Sequence, residues 1–379
     1  MIILFLMVPI ILLIFLLLKK ATPIKSVNIL ITTLCSIIVL FIILSPEICL
    51  KFSINGAKLF FYNVFPYVFP FMILSNLIIY YGGVQIYSKF LGILCKPQKL
   101  PKNTAIVLAI SALCGYPLGA KYSCDLYEEG LIDFRTFERL VNIASNAGPL
   151  FIVGAVGTSM LGSKYSGYIL LASCYLSCIL MGILIPCKAP GRYINIKKQS
   201  SINLENNLGT SIKKSIENAL QVSIQLMGFI IFFSLLIGIL INSLLFKSVQ
   251  NPIVKSIVLG CIEMTNGCSI ISVSQISFEL KMILISFLIC FGGFCVISQI
   301  YSFVGKYNIS PVKFIIRKLI QGLLGSLICF ILINLLPKYE AKYTFNLQSS
   351  KYNFIMYYIY LIIIFIIPVF LKKIFKHKY

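Results

Sequence analysis

One acid, Glu263, stands in GCIEMTNG (260–267) with no other charged residue between Lys255 and Glu279. An ionisable group at membrane depth is costly and marks a functional position by default, so Glu263 is read as holding a coupling proton or Na+, or as touching substrate. Thr265, Asn266 and Gly267 follow it and can open the backbone beside it. A second string, SALCGYPLGAK (111–121), carries Gly115, Tyr116, Pro117, Gly119 and Lys121. Its glycines permit tight or left-handed backbone, and its proline removes a donor and stops a helix. Helix ends made in this way leave N–H or C=O groups free to meet a ligand, although a close helix contact would use the same small residues. Lys121 suits an anionic group, or it snorkels to the interface as an anchor.

Two further strings add polar groups. Asn142 and Asn146, in ERLVNIASNAGPLFIVG (138–154), are four apart and would share one helical face, with Pro149 interrupting the helix just past Gly148. Amides on one stripe of a span belong against protein rather than lipid. Ser298 and Gln299 close CFGGFCVISQ (290–299) after a glycine pair.

Other chemistry is excluded by what is missing. The one histidine, His377, lies two residues from the C-terminus, which removes Ser-His-Asp, Cys-His and His-metal mechanisms. The 13 cysteines contain no C-x-x-C pair, so neither a zinc cluster nor a disulfide framework is expected. No P-loop, dinucleotide fingerprint, H-E-x-x-H or nucleophile elbow occurs, which removes the well-specified enzymes and no others; the expectation is no enzyme, no cofactor and no metal.

The elements that must position these residues lie in a lipid bilayer. A hydrophobic content of 59% over 379 residues exceeds what a soluble domain could bury. The fold class is therefore an all-α polytopic membrane protein. Nine full spans are read at about 1–18, 27–44, 59–81, 139–161, 165–187, 219–246, 280–304, 319–336 and 353–371. The first of them lacks the basic start and small-residue cleavage site of a signal peptide, so it is read as retained. Two apolar segments, 104–120 and 252–276, are broken by Gly, Pro, Asn or Thr and fit re-entrant helical hairpins better than crossings.

The net charge of +22 would suggest nucleic acid in a soluble protein; here the basic residues flank spans and set topology, and no nucleic-acid partner is expected. With the N-terminus outside and only the nine spans crossing, 24 of the 33 Lys and Arg fall on the inner side, Lys306 to Lys318 among them. In that orientation the first hairpin enters from the inner face and the second from the outer. Inverted repeats whose broken helices meet at the midplane are a transporter signature.

The strings FPYVFPFMILSNL (65–77), SALCGYPLGAK, ERLVNIASNAGPLFIVGAVG (138–157), GCIEMTNG and SFLICFGGFCVISQ (286–299) resemble the YlbJ (SpoVV) family of sporulation integral membrane proteins, which carry a nucleoside-recognition, or Gate, domain. The likeness spans roughly 55–335, with the second-half strings looser. The family is similar to the concentrative nucleoside transporters, which implies a substrate site at the hairpin tips. It also implies expression in the mother cell and movement of dipicolinate, a small aromatic dianion, across the outer forespore membrane toward the spore. Carried onto this chain, the matched positions are Gly115, Tyr116, Pro117, Gly119, Lys121, Asn142, Asn146, Pro149, Glu263 and Thr265. A dianion beside Glu263 requires that acid to be protonated or to hold a cation, hence its coupling role. A structural scaffold for spore cortex or coat assembly and a nucleoside carrier are the competing functions, and a homo-oligomer is compatible with all three. The layout expected is N-terminal transmembrane helices (1–54), a first Gate-like half (55–187), a basic cytoplasmic linker (188–218), a second half (219–336), and a C-terminal transmembrane helix with a basic tail (337–379).

Overall fold

A computed structural model describes residues 23–185, 208–243, 246, 248–249 and 251–335. The spans expected at 1–18 and 353–371, His377 and most of the linker lie outside the described residues. Within them every regular element is helical.

The described residues open with α1 (Pro23–Leu44), bent by 105° into α2 (Pro46–Leu59). A π-turn at Phe60–Val64 leads to α3 (Phe65–Tyr80). Pro66 and Pro70 have no N–H for the helical ladder, and the wider turn falls just ahead of them. A short α4 (Gly83–Phe90) follows. Next come α5 (Ala105–Cys114), α6 (Leu118–Glu128), α7 (Phe134–Ile143), α8 (Leu150–Met160, wound as a π-helix) and α9 (Lys164–Leu184). The second half comprises α10 (Leu208–Asn242), α11 (Pro252–Ile262), α12 (Met264–Val273), α13 (Phe278–Phe291), α14 (Gly293–Val304) and α15 (Pro311–Leu335).

Four stretches are long and apolar enough to cross a bilayer: α9, α10, α13 with α14, and α15, with the bent α1–α2 pair as a fifth. The other expected spans are shortened for identifiable reasons. The stretch 59–81 loses its first turn and a half to the π-turn before α3. The stretch 139–161 is unwound over residues 144–148, which leaves two helices of 10 and 11 residues. The nine-span count is thus not carried by the described residues. Helix positions also move: α10 is already helical at Leu208, inside the expected linker, and α15 begins at Pro311, eight residues ahead of the expected span. A proline at the first helical position is favourable because its missing N–H would be an orphan there in any case.

The membrane reading rests on which residues face outward. On α15, Lys318, Gln321, Gly322, Gly325 and Cys329 are buried, while Leu319, Leu323, Leu327 and Phe330 are exposed. Polar and small groups inside with large aliphatic groups outside is the arrangement that lipid selects and water does not. The protein is a multi-pass integral membrane protein.

A pair of short packed helices stands at each place where a hairpin is expected. α5 and α6 fold against one another, as do α11 and α12. Each arm has 10 or 11 residues, or about 15–17 Å, half of a hydrocarbon core roughly 30 Å thick. The first hairpin runs on to Glu128, past the expected end at residue 120, and the second ends at Val273. Asn251 starts α11 by accepting from the amides of Ile253 (2.9 Å) and Val254 (3.4 Å), with Pro252 at the first helical position.

At the mouth of the first hairpin, Glu128 accepts from Lys306 Nζ at 2.6 Å and from the Tyr307 hydroxyl, tying α6 to the α14–α15 loop. Lys306 and Tyr307 together hold the Glu128 carboxyl below its ordinary value of 4.5. A depressed carboxylate contributes stability that is present above its unfolded-state value and lost as pH falls through the folded one. Acidification below about 4.5 should therefore lower the unfolding midpoint of the wild type more than that of Glu128→Gln. Equal pH profiles for the two would show that the tie is idle.

Candidate functional site

Four interruptions meet at the centre. The first is the α5–α6 break, where Gly115 takes φ +80° and the Tyr116–Pro117 peptide is cis. The second is the unwound stretch between α7 and α8, the third is Glu263 between α11 and α12, and the fourth is the left-handed pair Gly292 (φ +87°) and Gly293 (φ +77°) between α13 and α14.

Each hairpin tip docks on the broken helix of its own half. Gly115 lies against Ala147 and Gly148 so closely that a Cβ would strike backbone, and Gly119 packs its α-carbon face onto the Ala144 carbonyl. In the second half, a Cβ on Gly293 would come within 3.0–3.4 Å of the carbonyl oxygens of Gly260, Cys261 and Ile262. Across the halves the packing is reciprocal: α6 lies on α14, and α12 lies on α8. Tyr116 is the hinge pin of this arrangement. Its hydroxyl donates to Met264 Sδ, its ring lies near Gly292, and it packs against both main hydrophobic clusters.

Asn146 stitches the first tip in place. Ser111 Oγ donates to its Oδ1 at 2.6 Å, its Nδ2 donates to the Ser111 carbonyl at 3.3 Å, and its own carbonyl accepts from the Tyr116 amide at 2.7 Å. Asn142 is also buried; its Nδ2 donates to the Glu138 carbonyl at 2.7 Å and its Oδ1 has no partner. The expectation that Asn142 and Asn146 share a helical face is corrected, because α7 ends at Ile143 and Asn146 sits in the unwound stretch. The break comes five residues ahead of Pro149, which instead caps the start of α8. At the break the tip takes a bond that a continuous helix would keep for itself, the Tyr116 amide donating to the Asn146 carbonyl.

Glu263 is 7% exposed and caps α12: Oε1 accepts from the Thr265 amide (3.0 Å), and Oε2 accepts from the Asn266 amide (3.0 Å) and side chain (2.7 Å). A carboxylate at a helix N-terminus meets both unpaired donors and a favourable dipole. Gly267 lies on Gly260 where the hairpin arms cross. Lys121 pairs with Asp125 at 2.8 Å and lies 4.5 Å from the centroid of the Tyr122 ring. Gln299 is buried on α14 with Nε2 donating to Cys295 Sγ at 3.3 Å, and Ser298 is half-buried beside it. The breaks thus bring together Gly115, Tyr116, Pro117, Gly119, Asn146, Pro149 and Glu263. Lys121, turned to Asp125, is not among them.

Two residues of this region stayed hidden in the sequence. Asn76 on α3 accepts from the Tyr122 hydroxyl at 2.9 Å and donates to the Ser215 carbonyl at 3.4 Å, joining α3, α6 and α10. Its place in FPYVFPFMILSNL was the available signal. Lys318, counted among inner-loop charges, is 1% exposed within α15. Pro311 as a helix start, with Gln321 three residues beyond Lys318, was the sign that this lysine lies inside a span. A groove of about 490 Å³ runs along α1 between Ile31 and Ile43, and none of its lining residues comes from the breaks.

The fold and its breaks define a class: a polytopic membrane protein in which helical hairpins dock on interrupted helices. Residues 61–190 match the family model described as Gate, nucleoside recognition. Over 350 residues the chain is 26% identical to the sporulation integral membrane protein YlbJ of Bacillus subtilis (strain 168), an alignment covering 82% of this chain and 84% of that one. The resemblance carried by the quoted strings therefore holds along most of the chain. No solved structure matches it.

Proposed function

We propose that this chain is a sporulation membrane transporter that moves a small organic anion, dipicolinate by resemblance, across the outer forespore membrane from the mother cell toward the spore. The observation that carries this reading is the convergence of four helix breaks on Tyr116, with packing exchanged reciprocally between the halves. Interrupted helices confined to the membrane's interior supply backbone donors and dipoles at the depth where a translocated solute needs them. Similarity to a sporulation protein and to a nucleoside-recognition family supports a solute-handling role over an enzymatic one. In this reading the two hairpins enter from opposite faces, so that rocking one half against the other alternates access.

The test is uptake of labelled dipicolinate, with uridine as comparison, by the purified full chain in liposomes. Saturable uptake of dipicolinate is expected. Uptake of uridine alone would favour the nucleoside carrier that the Gate description suggests, and movement of neither would favour a scaffold for cortex or coat assembly.

Glu263 is proposed to couple transport to H+ or Na+ by leaving its cap on α12. In Glu263→Gln, one amide oxygen still accepts, so α12 should lose about 1 kcal/mol. Uptake should lose its dependence on pH or sodium; retention of the wild-type dependence would remove the coupling role.

A further inference from the structure

A second charge at the breaks has no counterion among the described residues. Lys318 Nζ donates to the Ser145 carbonyl at 2.7 Å and to Gln321 Oε1 at 2.8 Å. Ser145 belongs to the unwound stretch between α7 and α8 on which the first hairpin tip docks. Among the described residues no carboxylate comes within ion-pair distance of Lys318, whereas Lys121, Lys213, Lys306 and Arg317 each have one. Gln321 Nε2 donates onward to Cys178 Sγ at 2.9 Å.

An ammonium has three donors, and two are used. Beside it the Ser145 hydroxyl, on a residue 1% exposed, has no partner either. An ion taken out of water without an opposite charge costs several kcal/mol, and attraction to carbonyl dipoles offsets that cost only in part. One competing account makes Lys318 a C-terminal cap of α7, since a lysine at the last carbonyls of a helix is favourable. That account uses the Ser145 carbonyl and leaves the third ammonium donor and the Ser145 hydroxyl unexplained.

We propose that Lys318, with the Ser145 hydroxyl, is the binding site for a carboxylate of the transported organic anion, engaged when the first hairpin tip lifts from the α7–α8 break. This rests on the organic-anion reading above and supplies the positive charge that Lys121, neutralised by Asp125, does not. It also places that charge on a helix of the second half, reaching into a break of the first.

The test uses the full chain in lipid nanodiscs and two ligands of one shape: dipicolinate, and its uncharged diamide, dipicolinamide. A hydrogen bond to a charged group weighs enough that Lys318→Met should weaken dipicolinate binding at least about 10-fold. Dipicolinamide binding should stay within about 2-fold of wild type, and Lys318→Arg should keep most of the dipicolinate affinity. Lys318→Gln retains a donor for the Ser145 carbonyl without the charge; it covers the case in which the methionine variant does not fold, and the same loss for dipicolinate alone is expected. Equal affinity of wild type and Lys318→Gln for dipicolinate, with only the unfolding midpoint changed, would make Lys318 a cap and overturn the assignment while leaving the transport reading intact. Failure of the wild type to bind dipicolinate at all would overturn both.

Discussion

Gly119→Val is expected to destroy the first hairpin. A Cβ at this position falls within the carbonyl oxygen of Ala144 and 2.9 Å from the side chain of Ser111. The obstacle is backbone on one side and the facing hairpin arm on the other, so relief requires α6 to leave α7. Overpacking of ordinary cores costs about 1–3 kcal/mol, and a clash with a fixed carbonyl exceeds that range. The expected outcome is loss of a cooperative thermal transition in detergent, with the protein trapped as aggregate. Gly228→Ala on α10 is the control, because a Cβ there meets nothing within 4 Å and alanine is the better helix former. A Gly119→Val protein that unfolds within a few degrees of wild type would refute the docking of tip on break.

Asn146→Leu should cost about 1–3 kcal/mol and loosen the tip without destroying the hairpin. The substitution preserves volume but strands the buried Ser111 hydroxyl, while the Ser111 carbonyl keeps its bond from the Gly115 amide at 2.9 Å. The backbone bond from Tyr116 to the residue-146 carbonyl survives, so the tip should detach transiently rather than permanently. Cys114, half-buried next to the break, reports this directly through faster maleimide labelling in the variant. Unchanged labelling together with an unchanged midpoint would assign the Ser111–Asn146 pair no role in holding the tip.

Much of this architecture was legible in residue types. The two hairpin breaks were located because the backbone chemistry of their residues is local: Gly115 and Pro117 mark the first and the polar turn at Glu263 the second, whereas Gly292 and Gly293 divide a stretch expected as one unbroken span. What stayed hidden depends on partners distant in sequence. Asn142 and Asn146 share a face only if the helix continues, and at Asn146 a tip some thirty residues earlier takes both the backbone carbonyl and the side chain. Glu263 read as a lone buried charge; its own helix supplies the partners, a short-range fact that the cap pattern E-x-T or E-x-x-N conceals because glutamate is an uncommon N-cap. Lys318 was misplaced for a third reason: loop charges and buried charges look alike until the helix start is fixed, and Pro311 fixes it.

The paired left-handed glycines between α13 and α14 have a mechanical consequence. Phe278–Val304 is long enough to reach from one leaflet to the other, yet its ladder is severed at mid-length by two successive residues of positive φ. A severed rod cannot carry torque from end to end. Bending load applied to either segment therefore collects at that joint, directly beneath Tyr116, and the rest of the scaffold can stay rigid while it flexes.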